Sequence, residues 1–157
     1  MSRFALPESQ LLKELKNVFE VQSAAITTHS KQVGEAYLQA LALMKNCTGR
    51  VIVSGMGKSG HIGTKIAATL ASVGTPSFFM HPGEAFHGDL GMVTKEDVLL
   101  LISYSGETDE ILKIIPSLQH FGNKIISITG GTTSTLAKNS HVVLDASVEK
   151  ETCPNNL

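Results

Sequence analysis

This 157-residue sequence lacks the excess of positive charge that is typical of nucleic-acid-binding proteins. Thirteen Lys and Arg stand against 14 Asp and Glu, so the net charge is −1 with the six histidines neutral. A chain without a basic field has no means of attracting a polyanion from a distance, and we expect no nucleic-acid partner. An anionic ligand would have to be held locally, by backbone amides and a few side chains.

Cysteines and long apolar segments are also scarce. Cys47 and Cys153 fit no metal-ligand or redox spacing, so we expect reduced thiols. No stretch approaches the ~18 apolar residues of a membrane span, and residues 1–7 lack the apolar centre of a signal peptide. The sequence therefore predicts a cytoplasmic protein with no membrane partner.

Short apolar runs alternate with helical patterns from Arg50 onward. We expect strands at 51–53, 77–80, 98–102, 124–128 and 142–144, and helices over 59–73 and 107–121, with a short helix through Leu136 and Ala137. The first long helix has Ile62, Ile66, Leu70 and Val73 on one stripe; the second has Ile111, Ile114, Ile115 and Leu118 inward. Strands that are apolar throughout and separated by helices predict an α/β fold, a doubly wound, five-stranded parallel sheet flanked by helices. The segment from His81 to Gly91 is predicted to be an irregular loop.

Two further helices are predicted ahead of this core, from Glu8 to Thr28 and from Lys31 to Cys47. We expect residues 1–48 to form a helical arm used for packing or oligomerisation, and residues 49–157 to form the ligand-binding core. Amphipathic arms of this kind commonly bury their apolar face against another subunit.

Two loops rich in Ser, Gly and Thr follow predicted strands and open helices. The first runs from Ser54 to Gly60 and the second from Ser103 to Thr108. Such loops present backbone amides, hydroxyl donors and the positive pole of a helix, which together suit a phosphate group. In open parallel sheets, ligands bind beyond the carboxyl ends of the strands. The predicted phosphate-binding residues are Ser54, Gly55, Gly57, Ser59, Ser103, Ser105, Gly106 and Thr108.

Two nucleotide motifs resemble the first loop. Gly57-Lys58-Ser59 ends like a P-loop, but that motif needs a glycine where Ile52 stands. Gly55-x-Gly57-x-x-Gly60 satisfies the dinucleotide fingerprint, yet the strand that should end in a carboxylate ends Phe79-Met80-His81. A terminal phosphate monoester makes better use of the many hydroxyls. Helix capping remains an alternative role for Ser105 and Thr108.

Together the loops resemble the sugar isomerase (SIS) family of phosphosugar-binding domains, whose second loop reads Ser-x-Ser-Gly-x-Thr, as residues 103–108 do here. Three further runs, 55–61 (GMGKSGH), 81–91 (HPGEAFHGDLG) and 151–154 (ETCP), resemble the arabinose 5-phosphate isomerases within that family. The resemblance implies a flavodoxin-like SIS fold and the interconversion of D-arabinose 5-phosphate and D-ribulose 5-phosphate. It also implies a role in Kdo and lipopolysaccharide synthesis, a homotetramer, and CBS domains that would follow Leu157.

The same resemblance implies four catalytic residues, Lys58, His87, Glu110 and Glu151. Aldose–ketose isomerisation moves a proton between C1 and C2 through an enediol, so it needs a base, a group that stabilises an oxyanion, and help in opening the sugar ring. One of the two glutamates would be the base, His87 would assist ring opening and Lys58 would stabilise charge. Each also has a plain structural interpretation: a solvated lysine, a loop histidine, a helix-dipole partner and an exposed acid.

No cofactor or metal is expected, since proton transfer needs neither. His81 and His87 are weak metal candidates, because no tight ligand spacing supports them. Two rival functions stay open. One is a non-catalytic phosphosugar sensor, which would usually carry a DNA-binding helix-turn-helix ahead of the domain. The other is an isomerase of another sugar phosphate, whose phosphate the loops would bind equally well.

Overall fold

A computed structural model describes residues 7–153 and divides the chain into two compact units. The sheet unit runs from Gly34 to Ser147, and the arm unit combines the described residues up to Val33 with those from Val148 onward. Pro154, the last residue of the Glu-Thr-Cys-Pro run, lies outside the described residues. The boundary between residues 48 and 49 stays a prediction.

The sheet unit contains five parallel strands in the order β2-β1-β3-β4-β5. Their bounds are β1 Val51–Gly55, β2 Ser77–Phe79, β3 Val98–Ile102, β4 Lys124–Thr129 and β5 Val142–Asp145. All five residues of β1 and of β3 are buried, as expected of central strands covered on both faces. The predicted α/β class and five-stranded parallel sheet are confirmed.

Helices cover both faces of this sheet: α2 Glu35–Lys45, α3 Gly57–Ser72, α4 Asp109–Phe121 and α5 Thr135–Lys138. One core lies between α4, α5 and the strand side chains that include Ile52, Leu99 and Leu101. The other lies between α2, α3 and the alternate side chains, among them Val51 and Val53. The inward stripe predicted for α4 is confirmed, with Ile111, Ile114, Ile115 and Leu118 at most 4% exposed.

The stripe predicted for α3 is wrong at two of its four positions, whereas Ile66 and Leu70 are half-buried and pack against the sheet core. Ile62 and Val73 are 58% and 72% exposed, and the buried side of the helix is instead made by Gly60, Gly63 and Ala67. The physical reason is close approach, since a Cβ at Gly63 would lie 3.0 Å from the ring of Phe79. Small residues let α3 lie directly on the sheet, and hydrophobicity alone does not reveal them.

The segment from His81 to Gly91 is more regular than predicted. It contains two 3-10 helical turns, Ala85–His87 and Asp89–Met92, joined at Gly88, whose φ of +134° lies in the glycine region. Ala85 is 1% exposed and anchors the segment in the core beneath α4. The many Gly and Pro residues concealed these turns from a pattern-based prediction.

The arm unit contains α1, Glu8–Ser30, and the described residues that follow Val148. No residue of α1 is buried, and Leu12, Leu15, Phe19 and Ile26 are between 58% and 73% exposed. Their spacing of three, four and seven residues places them on one face. No helix within residues 7–153 is both long and apolar enough to span a membrane.

Candidate phosphate site

The strand order places a topological switch point between β1 and β3. The chain passes from β1 to β2 on one side and then crosses to β3 on the other, so the connections leave the two strands in opposite directions. Gly55 and Ile102, the last residues of the two strands, are paired in register. Helices α3 and α4 start just beyond them on opposite faces of the sheet. Two positive helix poles therefore flank one crevice at this edge, the arrangement that binds anions in doubly wound folds.

The first predicted loop is far shorter than the sequence suggested. Ser54 and Gly55 belong to β1, and α3 begins at Gly57, so Met56 alone connects strand and helix. A Cβ at Gly60 would lie 2.7 Å from the carbonyl oxygen of Gly55. Gly55 and Gly60 of the apparent dinucleotide fingerprint thus serve the close packing of α3 on β1. Lys58 and Ser59 occupy the first turn of α3, exposed and half-buried respectively.

Ser54 is placed inside the sheet rather than in a loop. It is fully buried, and its Oγ has no hydrogen-bond partner among the described residues. Its neighbour in register is Leu101, one residue before the strand end. The unpaired hydroxyl lies one residue before the end of β1, on the sheet face that α4 covers. This follows because side chains alternate along a strand and Ile52, two residues earlier, packs in the core under α4.

Residues Ser103 to Thr108, called here the hydroxyl loop, connect β3 to α4 and are folded by their own side chains. Ser103 Oγ accepts a hydrogen bond from the amide of Gly106 at 3.1 Å and lies 2.7 Å from Thr108 Oγ1. Ser105 Oγ accepts from the amide of Glu107 at 3.1 Å. Because Glu107 is held in this turn, α4 begins at Asp109, two residues later than predicted.

The hydroxyl loop keeps hydroxyl protons that it can donate to a ligand. The bond between Ser103 and Thr108 uses one of their two hydroxyl protons and leaves the other available. Ser105 acts as an acceptor, so its own proton is also free for a ligand oxygen. Thr108 is the N-cap residue of α4 but makes no side-chain cap. The loop can therefore offer at least two hydroxyl protons beside the first turn of α4, and simple capping does not account for Thr108.

A third loop, missed by the sequence analysis, supports the second. Residues 130–134, called here the Gly-Thr loop, follow β4, and the amides of Gly130 and Gly131 both donate to the carbonyl of Tyr104. Gly106 has φ of +68°, and a Cβ there would lie 1.9 Å from Ser134 Oγ. The run of Gly and Thr after a strand was a signal equal to that of the first loop.

Of the four predicted catalytic residues, Lys58 and Glu110 are placed at this edge. Lys58 is exposed in the first turn of α3, and Glu110 is half-buried in the first turn of α4, next to the fully buried Ile111. Their helices begin at neighbouring strand ends, so both lie at the flanks of the same crevice. Their catalytic roles stay predictions.

His87 ends the first 3-10 turn after β2 and is exposed. His81 is also exposed, and its Nδ1 accepts a hydrogen bond from the amide of Gly83 at 3.2 Å. Within residues 7–153, no group of three or more His, Cys, Asp or Glu side chains is arranged to hold a metal ion.

Glu151 belongs to the arm unit rather than to the sheet unit. It is exposed and lines a cleft of about 320 Å³ together with side chains of α1, among them Glu14 and Val18. Its catalytic role stays a prediction.

Comparison with known proteins places the chain in a family. The SIS domain family matches residues 44–156. The arabinose 5-phosphate isomerase KpsF of Escherichia coli O6:H1 (strain CFT073) is 57% identical over 100% of this chain and 50% of its own length. The arabinose 5-phosphate isomerase KdsD of Pseudomonas aeruginosa is 53% identical over 85% of this chain and 41% of its own length. The chain thus spans about half the length of the curated relatives it matches.

A solved structure extends the likeness to three dimensions. The c3406 protein of E. coli CFT073, determined in complex with A5P, superposes with a TM-score of 0.91 at 40% identity. That match covers 97% of this chain and 81% of the other. The parallel sheet, the two Ser/Gly segments at its switch point and these matches agree, and the chain belongs to the SIS domain family.

Proposed function

We propose that the protein is an aldose–ketose isomerase that interconverts D-arabinose 5-phosphate and D-ribulose 5-phosphate. The observation that carries the proposal is the crevice between β1 and β3, where the hydroxyl loop and the starts of α3 and α4 converge. It suits a phosphate monoester because hydroxyl protons and two helix poles lie at the ends of two neighbouring strands. The likeness to isomerases of this substrate supports the choice of sugar.

The proposed reaction proceeds by proton transfer through an enediol. A carboxylate removes the proton from C2 of the open-chain aldose and returns it to C1, while a second proton moves from the oxygen on C2 to that on C1. Negative charge builds up on the C1 oxygen as C2 loses its proton, and a lysine ammonium stabilises it. We assign the base to Glu110 or Glu151, charge stabilisation to Lys58 and ring opening to His87. Loss of the base would cost at least about 100-fold in kcat.

Separate replacements Glu110→Gln and Glu151→Gln test the base. Gln keeps the shape and a hydrogen-bonding oxygen but cannot accept the proton. Asp109→Asn is the matched control, since Asp109 is an exposed carboxylate in the same first turn of α4. We expect one of the two glutamine variants to lose kcat by at least about 100-fold and the control to stay within about twofold. Wild-type turnover in both glutamine variants would refute the assignment.

We further propose that the chain works as a homo-oligomer, a tetramer in the form the resemblance implies, with residues 1–48 at the interface and 49–157 as the phosphosugar-binding core. The exposed apolar face of α1 supports an interface there, because four large apolar side chains in line are unusual on a free surface. A cytoplasmic location and a role in lipopolysaccharide precursor synthesis complete the proposal.

The sensor alternative predicts binding without turnover. Incubation with pentose and hexose phosphates separates the possibilities: conversion of a pentose phosphate supports the proposal, conversion of a hexose phosphate alone supports the second rival, and saturable binding without conversion supports a sensor.

A further inference from the structure

Glu107 belongs to the hydroxyl loop, yet its carboxylate binds a different element. Its Oε1 accepts a hydrogen bond from the backbone amide of Thr135, the first residue of α5, at 2.7 Å. This bond, with a second from the side chain of Thr135, lowers the pKa of Glu107 below its ordinary value. The carboxylate is therefore ionised at neutral pH and remains so well into the acidic range.

The backbone amides in the first turn of α5 all have hydrogen-bond partners. After Thr135, the amide of Leu136 donates to the carbonyl of Gly106 at 3.0 Å, and the amide of Ala137 donates to Ser134 Oγ at 3.2 Å. Three successive first-turn amides are thus satisfied, two of them by the hydroxyl loop. An incoming phosphate finds no vacant amide at α5 and is left with the starts of α3 and α4.

The bond of Glu107 lies at the bend of the hydroxyl loop. The residue before it, Gly106, lies in close contact with Ser134. The residue after it, Thr108, carries the hydroxyl that is hydrogen-bonded to Ser103. The hydrogen bond between Glu107 and Thr135 therefore limits how far Ser105 and Thr108 can move apart. Without it, the backbone between them keeps the bond from the amide of Glu107 to Ser105, the bonds from the amide of Gly106 to Ser103 and the bond from the amide of Leu136 to Gly106, and only the last of these reaches α5.

We propose that Glu107 is a positioning residue for sugar-phosphate binding: its carboxylate fixes the hydroxyl loop to α5 in the shape that receives the phosphate. The inference rests on the proposed function and adds a residue that touches no part of the substrate. It explains why a carboxylate stands beside a site for a dianion, where charge alone would disfavour it.

A positioning role and simple charge repulsion predict opposite changes in phosphate affinity when the carboxylate of Glu107 is removed. Removing a negative charge near an anion site should tighten phosphate binding if coulombic repulsion dominates. If Glu107 acts by positioning, Glu107→Ala should weaken binding despite the lost repulsion, because the loop must be ordered on binding. Glu107→Gln keeps an acceptor oxygen for the amide of Thr135, so it should bind as wild type or slightly tighter.

The experiment measures binding of D-arabinitol 5-phosphate, which lacks the C1 carbonyl and cannot isomerise, by titration calorimetry. We expect about a fivefold rise in Kd for Glu107→Ala, the scale of one ordered polar contact, and less than about twofold change for Glu107→Gln. Glu35→Ala is the matched control, because Glu35 is an exposed glutamate of α2 that accepts a hydrogen bond from Gln39 at 3.2 Å. Amide hydrogen exchange without ligand should show faster exchange at Thr135 in Glu107→Ala alone.

Three results would overturn the inference: equal or tighter binding by Glu107→Ala, binding by Glu107→Gln as weak as that by Glu107→Ala, or unchanged exchange at Thr135 in Glu107→Ala. A wild-type chain that binds no sugar phosphate would instead refute the proposed function. The exchange measurement would then still decide whether Glu107 holds the loop.

Discussion

Ser103 and Thr108 hold their hydroxyl oxygens 2.7 Å apart across the turn that joins β3 to α4. Ser103 is 2% exposed and also accepts a hydrogen bond from the amide of Gly106, so it supports the turn from the buried side. The half-buried Thr108 is the member of the pair nearer to solvent. The pair keeps one proton unused, and a phosphate oxygen is its natural acceptor. This relationship makes Thr108 the first residue to test for ligand binding.

Thr108→Val removes that hydroxyl at nearly constant volume. We expect the Kd for D-arabinitol 5-phosphate to rise about tenfold, the usual effect of losing a hydrogen bond to a charged group. Thr69→Val is the matched control, since Thr69 is an exposed threonine of α3 whose hydroxyl donates to the carbonyl of Lys65. Unchanged affinity in Thr108→Val would show that the loop hydroxyl does not bind the phosphate.

Gly106→Ala should destabilise the sheet unit more than an ordinary glycine substitution. The added Cβ meets both the strain of φ +68° and the side chain of Ser134, whose Cβ would be 2.5 Å away. We expect a loss of about 2–3 kcal/mol in the free energy of unfolding, measured in urea.

Gly122→Ala is the control for that substitution. Gly122 ends α4 with φ of +83°, and nothing lies within 4 Å of its added Cβ. It should cost about 1 kcal/mol, the strain contribution alone. Equal losses in the two variants would mean that Ser134 moves aside easily and that the Gly-Thr loop does not support the hydroxyl loop as described.

The sheet, its class and the edge where the two Ser/Gly segments meet could be predicted because they rest on repeated patterns. Five apolar runs separated by helical periods leave few alternatives to a parallel sheet, and strand ends followed by Gly and Ser mark the edge. The inward stripe of α4 followed from simple periodicity, with Ile111 and Leu118 both fully buried.

Elsewhere the sequence was insufficient because the decisive contacts are made by backbone or by small residues. The buried side of α3 is formed by Gly60 and Gly63, which carry no hydrophobic signal. The link between Glu107 and Thr135 joins residues 28 positions apart and follows from no local pattern. The grouping of Glu151 with α1 likewise depends on how the chain returns after β5.

The ion pair at the opposite edge of the sheet predicts a pH effect on stability. Burial by itself raises the pKa of Asp97, but hydrogen bonds from the Arg50 side chain and from the amides of Thr94 and Arg50 outweigh it and lower the pKa below its ordinary value. The ionised form is thus favoured by folding. Its stabilising contribution is complete above the unfolded pKa of about 4 and is lost as the pH falls through the folded value.

Asp97→Asn measures this contribution. We expect the variant to be less stable than wild type by about 2 kcal/mol at pH 7, since the Arg50 guanidinium loses a bond of 3.0 Å to a buried carboxylate. The difference should persist at pH 5 and shrink below about pH 4 in urea unfolding. A difference that grows on acidification would contradict the sign of the pKa shift.

The apolar face of α1 predicts self-association. Phe19 is 73% exposed in the middle of that face, so Phe19→Glu places a charge where a second copy would pack. We expect the variant to sediment as a smaller species than wild type at equal concentration, because a buried unpaired charge disfavours association.

Ala24→Glu, an exposed position on another side of the same helix, should leave the sedimentation of the wild-type species unchanged. If Phe19→Glu also sediments as the wild-type species, the apolar face of α1 is not at the proposed interface.

The most direct test of the account is proton NMR of D-arabinose 5-phosphate incubated with this chain in deuterium oxide. The account predicts D-ribulose 5-phosphate with solvent deuterium at C1, because a carboxylate that carries the proton between C2 and C1 exchanges it with water. Product without deuterium would contradict proton transfer through an exchanging base. Neither product nor exchange, with the sugar phosphate bound, would contradict the proposal that this chain is an isomerase.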